Sequence, residues 1–470
     1  MGTTLQFCGR LAAVGEADLT EQVRVLARRL VLDGIAIAVA GASQRPLRLL
    51  AGYYSDQGGL PAASAIGFGF KLPPAAAAAL NGAAMHVLDF EPMWSPANHA
   101  LSTTLPAALA VAEQRGATGL ALLTALVKGC EAQGWLREAS GQYEPRSLVF
   151  HPPGVVGPIG GAVAAGHLLG LDPARLSHAV GMAASRSGTL LANVGTMTKS
   201  LHCGNAAAAG LEAALLAERG FTANPNVLEA TQGLAAGFFA ATFRPQELLR
   251  VGPPFRVEQP GFAIKMFPSQ YGTHFAIDAA LQLHGRVGRP ETVRRATLTA
   301  PVMPYIDRPL PSSGLEGKFS LQYTAAAGLL DGAVRISTFT DKRVAPPDMR
   351  RFLPKMQLVM SADIPAHFDA MHVTLEVETE DGTVRRSRSD GPPGHWSRPP
   401  ISDAEHLAKV RDCLAVGMET EAAEECIALA QRLDRLDEAG VRRLAAIAGA
   451  ANRPCRGDAA PTSSGRAPRR

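Results

Sequence analysis

Hydrophobic residues recur at helical spacing from about residue 18 to 220. After Thr20 and Glu21, the apolar residues Val23, Leu26 and Leu30 fall on one face of a helix. Further helical runs are predicted at 73–88, 105–114, 119–136, 158–169, 177–184 and 205–219. Alanine and glycine are frequent in these runs, which favours close packing of helices over a large sheet sandwich. This part of the chain is therefore predicted to be a helical domain.

The pattern changes from helical to alternating after about residue 266. Apolar and polar residues alternate over 372–380, Asp381 and Gly382 predict a type I′ hairpin turn, and a second strand returns over 383–388. Two more elements are predicted in this region, a strand at 296–300 and a helix at 318–330. The region is therefore predicted to be a small α/β unit.

Helical spacing returns near the end of the chain, where Ser402 and Asp403 form the N-terminal cap of a helix. Two further helices are predicted at 421–433 and 437–448. The predicted fold class is therefore mainly α, with an inserted smaller α/β lid domain. The predicted boundaries are 1–266 with 399–451 for the discontinuous helical domain, 267–398 for the lid domain and 452–470 for a disordered tail.

Composition narrows the class of protein. The chain has 470 residues, of which 47% are hydrophobic, and a net charge of +4. Because no basic stripe is interleaved with aromatic residues, nucleic-acid binding is not expected. The apolar stretch 30–42 is interrupted by Asp33 and Gly34, so neither a membrane span nor a signal peptide is predicted. Six cysteines without a C-x-x-C pair favour a protein of the reducing cytoplasm.

Two lysines stand out in a sequence that otherwise uses arginine. Lys199 and Lys265 lie in short segments that are poor in other charges. Burial can tune such an ammonium group to act as a fixed cation or as a proton carrier. The alternative interpretation is a surface lysine whose stem covers apolar surface.

Two histidines are placed as candidate acid–base groups. His99 lies in a turn-rich loop, and His151 begins a loop that leads into a glycine-rich helix. Imidazole suits general acid–base catalysis because its pKa lies near neutrality. The alternative is an ordinary turn or capping residue, which is the role expected for His86, His167, His178, His284, His367 and His406.

The sequence offers little support for other kinds of site. There is no H-E-x-x-H motif, and Asp89 with Glu91 is the only acidic pair of interest, so no metal is predicted. The glycine-rich stretch 154–161 lacks a preceding strand, which favours close helix packing over nucleotide binding. No G-x-S-x-G motif occurs, and Cys130 and Cys203 are expected in the core.

Several short segments together resemble one known family. They are His-Val-Leu-Asp-Phe-Glu at 86–91 with 96–99, Cys-Glu-Ala-Gln within 129–134, His-Pro-Pro-Gly within 150–160, Lys-Ser-Leu-His-Cys-Gly-Asn within 198–205, Lys-Met-Phe-Pro at 265–268 with 273–278, and 316–322. In this order and spacing, the chain resembles the MmgE/PrpD family from about residue 20 to 450. The family contains enzymes that dehydrate, decarboxylate or epimerise small polycarboxylic acids.

The resemblance implies a large helical domain with a smaller α/β lid, a homodimer, no cofactor, and an active site between the two domains. It places catalytic residues at Asp89, His99, His151, Lys199 and Lys265. It also places Met93 where the decarboxylase-like members have threonine, Gln270 where they have histidine, and Tyr305 as a further pocket residue. These departures imply a pocket with different polar groups.

The resulting hypothesis is a cofactor-independent lyase that abstracts a proton from a small di- or tricarboxylic acid. His99 or His151 is expected to carry the proton, and Lys199 and Lys265 are expected to hold carboxylates. Asp89 is expected to orient a histidine or to act as an acid or base. The alternatives are an epimerase or isomerase of a dicarboxylate, a catalytically silent binding paralogue, and, third, a metal-dependent hydrolase.

Overall fold

The first half of the chain folds into closely packed α-helices. The structure, a computed structural model, describes residues 2–144 and 148–450. The helices of this half are α1 (Thr3–Ala13), α2 (Glu21–Ala42), α3 (Arg45–Gln57), α4 (Pro74–His86), α5 (Leu101–Arg115), α6 (Gly119–Ser140), α7 (Pro152–Leu168), α8 (Pro173–Ala184), α9 (Thr198–Glu218) and α10 (Leu234–Phe238). The short strands β1 (Ala63–Ser64) and β2 (Lys71–Leu72) form an antiparallel pair.

Glycines allow the central helices to approach closely. A Cβ atom at Gly204 of α9 would overlap the carbonyl oxygen of Ala79 in α4, and one at Gly210 would overlap that of Pro158 in α7. Larger side chains at these positions would push the helices apart. This packing brings the first turn of α9 beside the last turn of α4.

A four-stranded sheet with helices forms the second part of the fold. Its elements are α11 (Tyr271–Leu283), β3 (Val293–Pro301), α12 (Gly314–Gly317), α13 (Leu321–Asp331), α14 (Asp341–Val344), α15 (Pro347–Phe352), β4 (Met356–Ser361), β5 (Val373–Thr379) and β6 (Val384–Ser389). The strand order is β4-β3-β5-β6. Strands β3 and β4 are parallel, and the other neighbouring strands are antiparallel. Helices α11 and α13 pack against the sheet and give this part its own hydrophobic core.

The last helices return to the first hydrophobic core. They are α16 (Asp403–Leu414), α17 (Thr420–Gln431) and α18 (Glu438–Ala448). Helix α16 is joined to α2 by contacts from His406 and Lys409 to the buried carboxylate of Asp33. The predicted mainly α fold with an inserted α/β part is confirmed. The domain boundaries near 267 and 398 remain predictions.

Several local predictions are also confirmed, and others are corrected. Thr20 and Ser402 cap α2 and α16 as expected. Helix α7 begins at residue 152 rather than 158, and α9 begins at 198 rather than 205. The short helix α1 and strand β4 were not predicted. The helix predicted from 318 begins instead at residue 321, after the Ser320 cap.

The predicted hairpin is present, but its turn is not of type I′. A type I′ turn requires positive φ at both central residues. Among the described residues of this turn, only Gly382 has positive φ, at 82°. The amide of Gly382 donates to the carbonyl of Thr379, and the amide of Thr379 donates to Thr383. The loop is therefore one residue longer, with the glycine after the turn.

Three further predictions concern a membrane span, the C-terminal tail and the core cysteines. Within 2–144 and 148–450, the helices lack the length and apolar character that a bilayer crossing requires. The tail predicted at 452–470, with Cys455, lies outside the described residues. The expected core cysteines Cys130 and Cys203 are fully buried.

Candidate active site

Seven of the eight predicted site residues line one cavity of about 490 Å³ between the two hydrophobic cores. They are Asp89, Met93, His99, His151, Lys199, Gln270 and Tyr305. The first five come from the helical part, and the last two from the α/β part. The fold therefore assembles chain segments that are up to about two hundred residues apart into a single site.

Asp89 lies at the centre of this site, in the turn that follows α4. Its Oδ2 is 2.7 Å from the ammonium nitrogen of Lys199, and its Oδ1 is 2.6 Å from that of Lys265. Burial alone would raise the pKa of Asp89, but the two ammonium groups hold it well below its usual range. Asp89 is thus a carboxylate whose partners are lysines. The expected pairing of Asp89 with a histidine does not appear in these contacts.

Lys265 is the predicted site residue that does not line the cavity. Its side chain is fully buried, and its ammonium group donates to both the backbone carbonyl and the carboxylate of Asp89. Burial lowers the pKa of Lys265 to about 8, although Asp89 opposes this shift. The expectation that Lys265 holds a substrate carboxylate does not fit this placement. Its contacts instead fix the position and charge of Asp89.

Lysines from three later segments hold the carbonyl groups of the Asp89 turn. Lys265 donates to the carbonyl of Asp89, Lys318 to that of Val87 at 3.2 Å, and Lys409 to that of Phe90 at 3.2 Å. The backbone of Asp89 has a φ of 50°, which is unfavourable for a residue other than glycine. We infer that the three ammonium groups stabilise this strained turn and thereby aim the Asp89 carboxylate.

A hydrogen-bonded chain leads from Lys199 away from the cavity. Its ammonium nitrogen is 2.9 Å from His86 Nε2, and His86 Nδ1 is 2.6 Å from Glu91 Oε1. An ammonium group can only donate, so His86 Nε2 accepts and its neutral ring carries the proton on Nδ1. Glu91 also accepts from the amide and hydroxyl of Ser102. Burial raises the pKa of Glu91 to about 8, so this carboxyl group can exchange a proton near neutral pH.

The sequence reasoning missed the role of His86, which was interpreted as an ordinary turn or capping residue. The structure places its ring 4.6 Å from that of His99 and 5.5 Å from that of His151. A usable signal was its position within the same short segment as Asp89 and Glu91. Lys318 and Lys409 were also missed, although each is a rare lysine with apolar neighbours on one side.

His99 and His151 are the two candidate bases on the cavity wall. Burial lowers the pKa of His99 to about 3 and lowers that of His151 well below its usual range, and the nearby Lys199 acts in the same direction. Both rings are therefore neutral at pH 7 and can accept a proton. His151 lies at the N-terminus of α7, and its Nδ1 is 3.1 Å from Nδ1 of His202.

The three rings of His86, His99 and His151, here called the histidine cluster, also have metal-ligand spacing. One nitrogen of each lies within 4.8 Å of the others, which the sequence spacing did not predict. His86, Glu91 and Cys203 form a second such group. The fixed positive charge of Lys199 next to His86 opposes the binding of a cation. The arrangement is better suited to an anion.

The three predicted substrate-binding residues lie on the wall nearest the α/β part. Gln270 precedes α11, and its side-chain amide is 3.4 Å from the hydroxyl of Tyr305. Met93 is buried, and its backbone exchanges two hydrogen bonds with Ala263. This wall therefore presents a thioether, an amide and a phenol to the cavity.

Together, the helical fold and a cavity with neutral imidazoles beside buried lysines define an enzyme-like site for proton transfer on a small anion. The chain belongs to the MmgE/PrpD family. Residues 6–246 match the MmgE/PrpD N-terminal domain, and residues 267–435 match the MmgE/PrpD C-terminal domain. The family predicted from the sequence is thus confirmed.

Relatives with assigned names cover most of the chain. The chain is 32% identical to cis-aconitate decarboxylase of Mus musculus, over 93% of this chain and 92% of that protein. It is 31% identical to the Homo sapiens protein of the same name, over 93% of each. It is also 26% identical to 2-methylcitrate dehydratase of Cupriavidus necator, over 59% of this chain and 61% of that protein. These names agree with the predicted lyase class.

Proposed function

We propose that this protein is a cofactor-independent lyase that acts on a small di- or tricarboxylic acid by proton abstraction. The reaction is a dehydration or a decarboxylation, as in the relatives named above. The observation that carries the proposal is the Lys199–Asp89–Lys265 ion-pair system beside neutral His99 and His151 in one cavity. It supports a site that both attracts carboxylates and moves protons.

In a dehydration, His99 or His151 takes the proton from the carbon next to a carboxylate. Negative charge then develops on that carboxylate, where the ammonium group of Lys199 stabilises it. The hydroxyl group on the adjacent carbon leaves as water, with a proton supplied by a cavity acid. The electron pair of the broken C–H bond becomes the new C=C bond.

In a decarboxylation, the C–C bond to one carboxylate breaks, carbon dioxide leaves and its electron pair remains on carbon. An acid in the cavity then protonates that carbon. Lys199 is suited to this step because it is the cation that lines the cavity, beside His99 and His151. Both reactions thus use the same groups, and the fold does not choose between them.

Turnover of 2-methylcitrate and of cis-aconitate, followed by NMR in deuterium oxide, tests the proposal. We expect a new product from at least one acid, with deuterium incorporated at carbon where a proton is delivered. Lys199→Met should lower turnover at least a hundredfold, whereas Lys342→Met, at an exposed lysine, should not. Undiminished turnover in Lys199→Met would refute the role of that lysine.

The same experiment separates the alternatives. Deuterium exchange without elimination or loss of carbon dioxide would indicate an epimerase or isomerase, for which a chiral dicarboxylate such as iminodisuccinate is the probe. Binding without exchange into any of the acids would indicate a silent paralogue.

We also propose that the protein is a homodimer of the reducing cytoplasm. The dimer rests on the family resemblance. The five described cysteines are all free thiols, which supports a reducing compartment. Light scattering of the purified protein tests the dimer, for which a mass near twice 49.2 kDa is expected.

A further inference from the structure

The cavity is larger than a simple tricarboxylic acid requires. Such an acid has about a dozen non-hydrogen atoms, and even at the ~30 Å³ that a molecule of liquid water occupies it would take up roughly 360 Å³. Bonded atoms need less space than this. The cavity of about 490 Å³ therefore has room for a further substituent.

The charged groups occupy only part of the cavity wall. Among the described residues that line it, Lys199 is the one lysine or arginine, and its ammonium group is already paired with Asp89. Sites that hold three carboxylates are expected to present several cations, because each buried charge needs a partner. This wall is better matched to one or two carboxylates.

Apart from the amide and phenol groups described above, much of the rest of the wall is apolar. Leu148, Leu191 and Val194 line one side, and Val302 lines the other, just after β3. All four side chains are only half-buried, so they stay in contact with water when the cavity is empty. The two sides are held together by Arg308, whose guanidinium group donates to the carbonyl of Val194 at 3.2 Å.

Met93 extends the apolar character toward the reacting groups. It lines the same cavity as Asp89 and His99. Its thioether stands at the position where the family resemblance leads us to expect the hydroxyl of threonine. A hydrogen-bonding group is thus replaced by an apolar one within the site itself.

We propose that the substrate carries, besides its reacting carboxylates, an apolar chain of several carbons that lies along Leu191, Val194 and Val302. This inference rests on the proposed function and narrows its substrate class to alkyl-substituted carboxylic acids. The carboxylates lie at the end formed by Lys199 and the histidines. The alkyl chain of the substrate removes these apolar side chains from contact with water, and this burial provides the free energy of its binding.

Calorimetric titration of the full-length protein with succinate, butylsuccinate, hexylsuccinate and propane-1,2,3-tricarboxylate tests this inference. Each methylene group that leaves water should tighten binding about fourfold, so butylsuccinate should bind at least fiftyfold more tightly than succinate. Less than a fourfold gain across the butyl chain, or tighter binding of the tricarboxylate than of hexylsuccinate, overturns the proposal.

Two substitutions locate the effect in the cavity. The double variant Val194→Thr/Val302→Thr keeps the side-chain shape and adds hydroxyl groups at half-buried positions. It should reduce the gain per methylene by at least half while leaving succinate binding within twofold. Val359→Thr, at an exposed position on β4, is the control and should leave the series unchanged. An unchanged series in the double variant overturns the assigned wall.

Failure of the alkyl-substrate inference can be distinguished from failure of the proposed lyase function. Turnover of 2-methylcitrate or cis-aconitate without a chain-length effect leaves the lyase intact and removes the alkyl substrate class. A chain-length effect without turnover or deuterium exchange on any acid would support the alkyl-binding cavity and refute the lyase function.

Discussion

Replacing Lys409 with methionine tests whether helix α16 stabilises the Asp89 turn. The ammonium nitrogen of Lys409 lies 2.8 and 3.0 Å from the two carboxylate oxygens of Asp33 and 3.2 Å from the carbonyl oxygen of Phe90. It also lies 4.2 Å from the centre of the Phe90 ring. Asp33 and Lys409 are both buried.

The expected loss of stability follows from the buried charge of Asp33 that remains in the variant. Methionine keeps most of the side-chain volume of Lys409, so the loss of packing is small. The carboxylate of Asp33 is left in the core with the imidazole of His406, at 3.1 Å, as its remaining side-chain partner. Breaking a buried ion pair from one side costs about 3–5 kcal/mol. Because Asp33 keeps its contact with His406, we expect the free energy of unfolding to fall by an amount near the lower value, about 3 kcal/mol.

The variant should also lose activity. The carbonyl of Phe90 loses its donor, and this residue directly follows Asp89. A displacement of about 1 Å in a catalytic group lowers the rate by up to about a hundredfold. We therefore expect kcat/KM to fall by at least tenfold. Urea unfolding followed by tryptophan fluorescence and steady-state kinetics measure the two effects.

The double variant Asp33→Leu/Lys409→Met separates the two effects. Removing both charges should restore the free energy of unfolding to within about 1 kcal/mol of the original protein. Activity should stay low, because the donor to Phe90 is still missing. A single variant as stable as the original protein, or a double variant less stable than the single one, refutes the reasoning.

The pH dependence of the free energy of unfolding tests whether Lys409 stabilises the charged form of Asp33. In the original protein, burial alone would raise the pKa of Asp33, but Lys409 and His406 hold it below its usual range. Asp33 therefore contributes stability above pH ~4 that is lost as the pH falls through its folded pKa. Without Lys409, its folded pKa should lie above the unfolded value. The difference in the free energy of unfolding between the original protein and Lys409→Met should then grow as the pH rises from 5 to 8.

The remaining predictions concern the site and its packing. The pH profile of kcat/KM should stay flat down to about pH 5, because the pKa of His99 is about 3, and should fall above about pH 8 as Lys265 loses its proton. In Lys265→Arg, the fall of kcat/KM on the alkaline side should shift to a higher pH. A fall of kcat/KM at pH 6.5 in the original protein would contradict the assignment of neutral imidazoles. Gly204→Ala should destabilise the protein by about 1–3 kcal/mol in urea unfolding, because its Cβ meets the backbone of α4, whereas Gly52→Ala, in open space on α3, should stabilise it by about 0.5–1 kcal/mol. Turnover should survive dialysis against EDTA; a loss that added zinc reverses would assign a metal to the histidine cluster.

The sequence by itself determined the features that depend on neighbouring residues. Helical periodicity and the caps at Thr20 and Ser402 identified α2 and α16, because a helix face and its first turn are set within a few residues. The family segments similarly identified Asp89, His99, His151 and Lys199 as one set. Their local sequence contains the residue types that the chemistry needs.

Tertiary structure decided what depends on distant contacts. Strand β4 forms because it pairs with β3, and α7 and α9 extend through glycine- or threonine-containing turns because neighbouring helices pack on them. The position of Lys265 behind Asp89 and the contact of Lys409 with Phe90 join residues 176 and 319 positions apart. No local pattern specifies such contacts, since they arise only when the whole chain excludes water and each buried charge must find a partner.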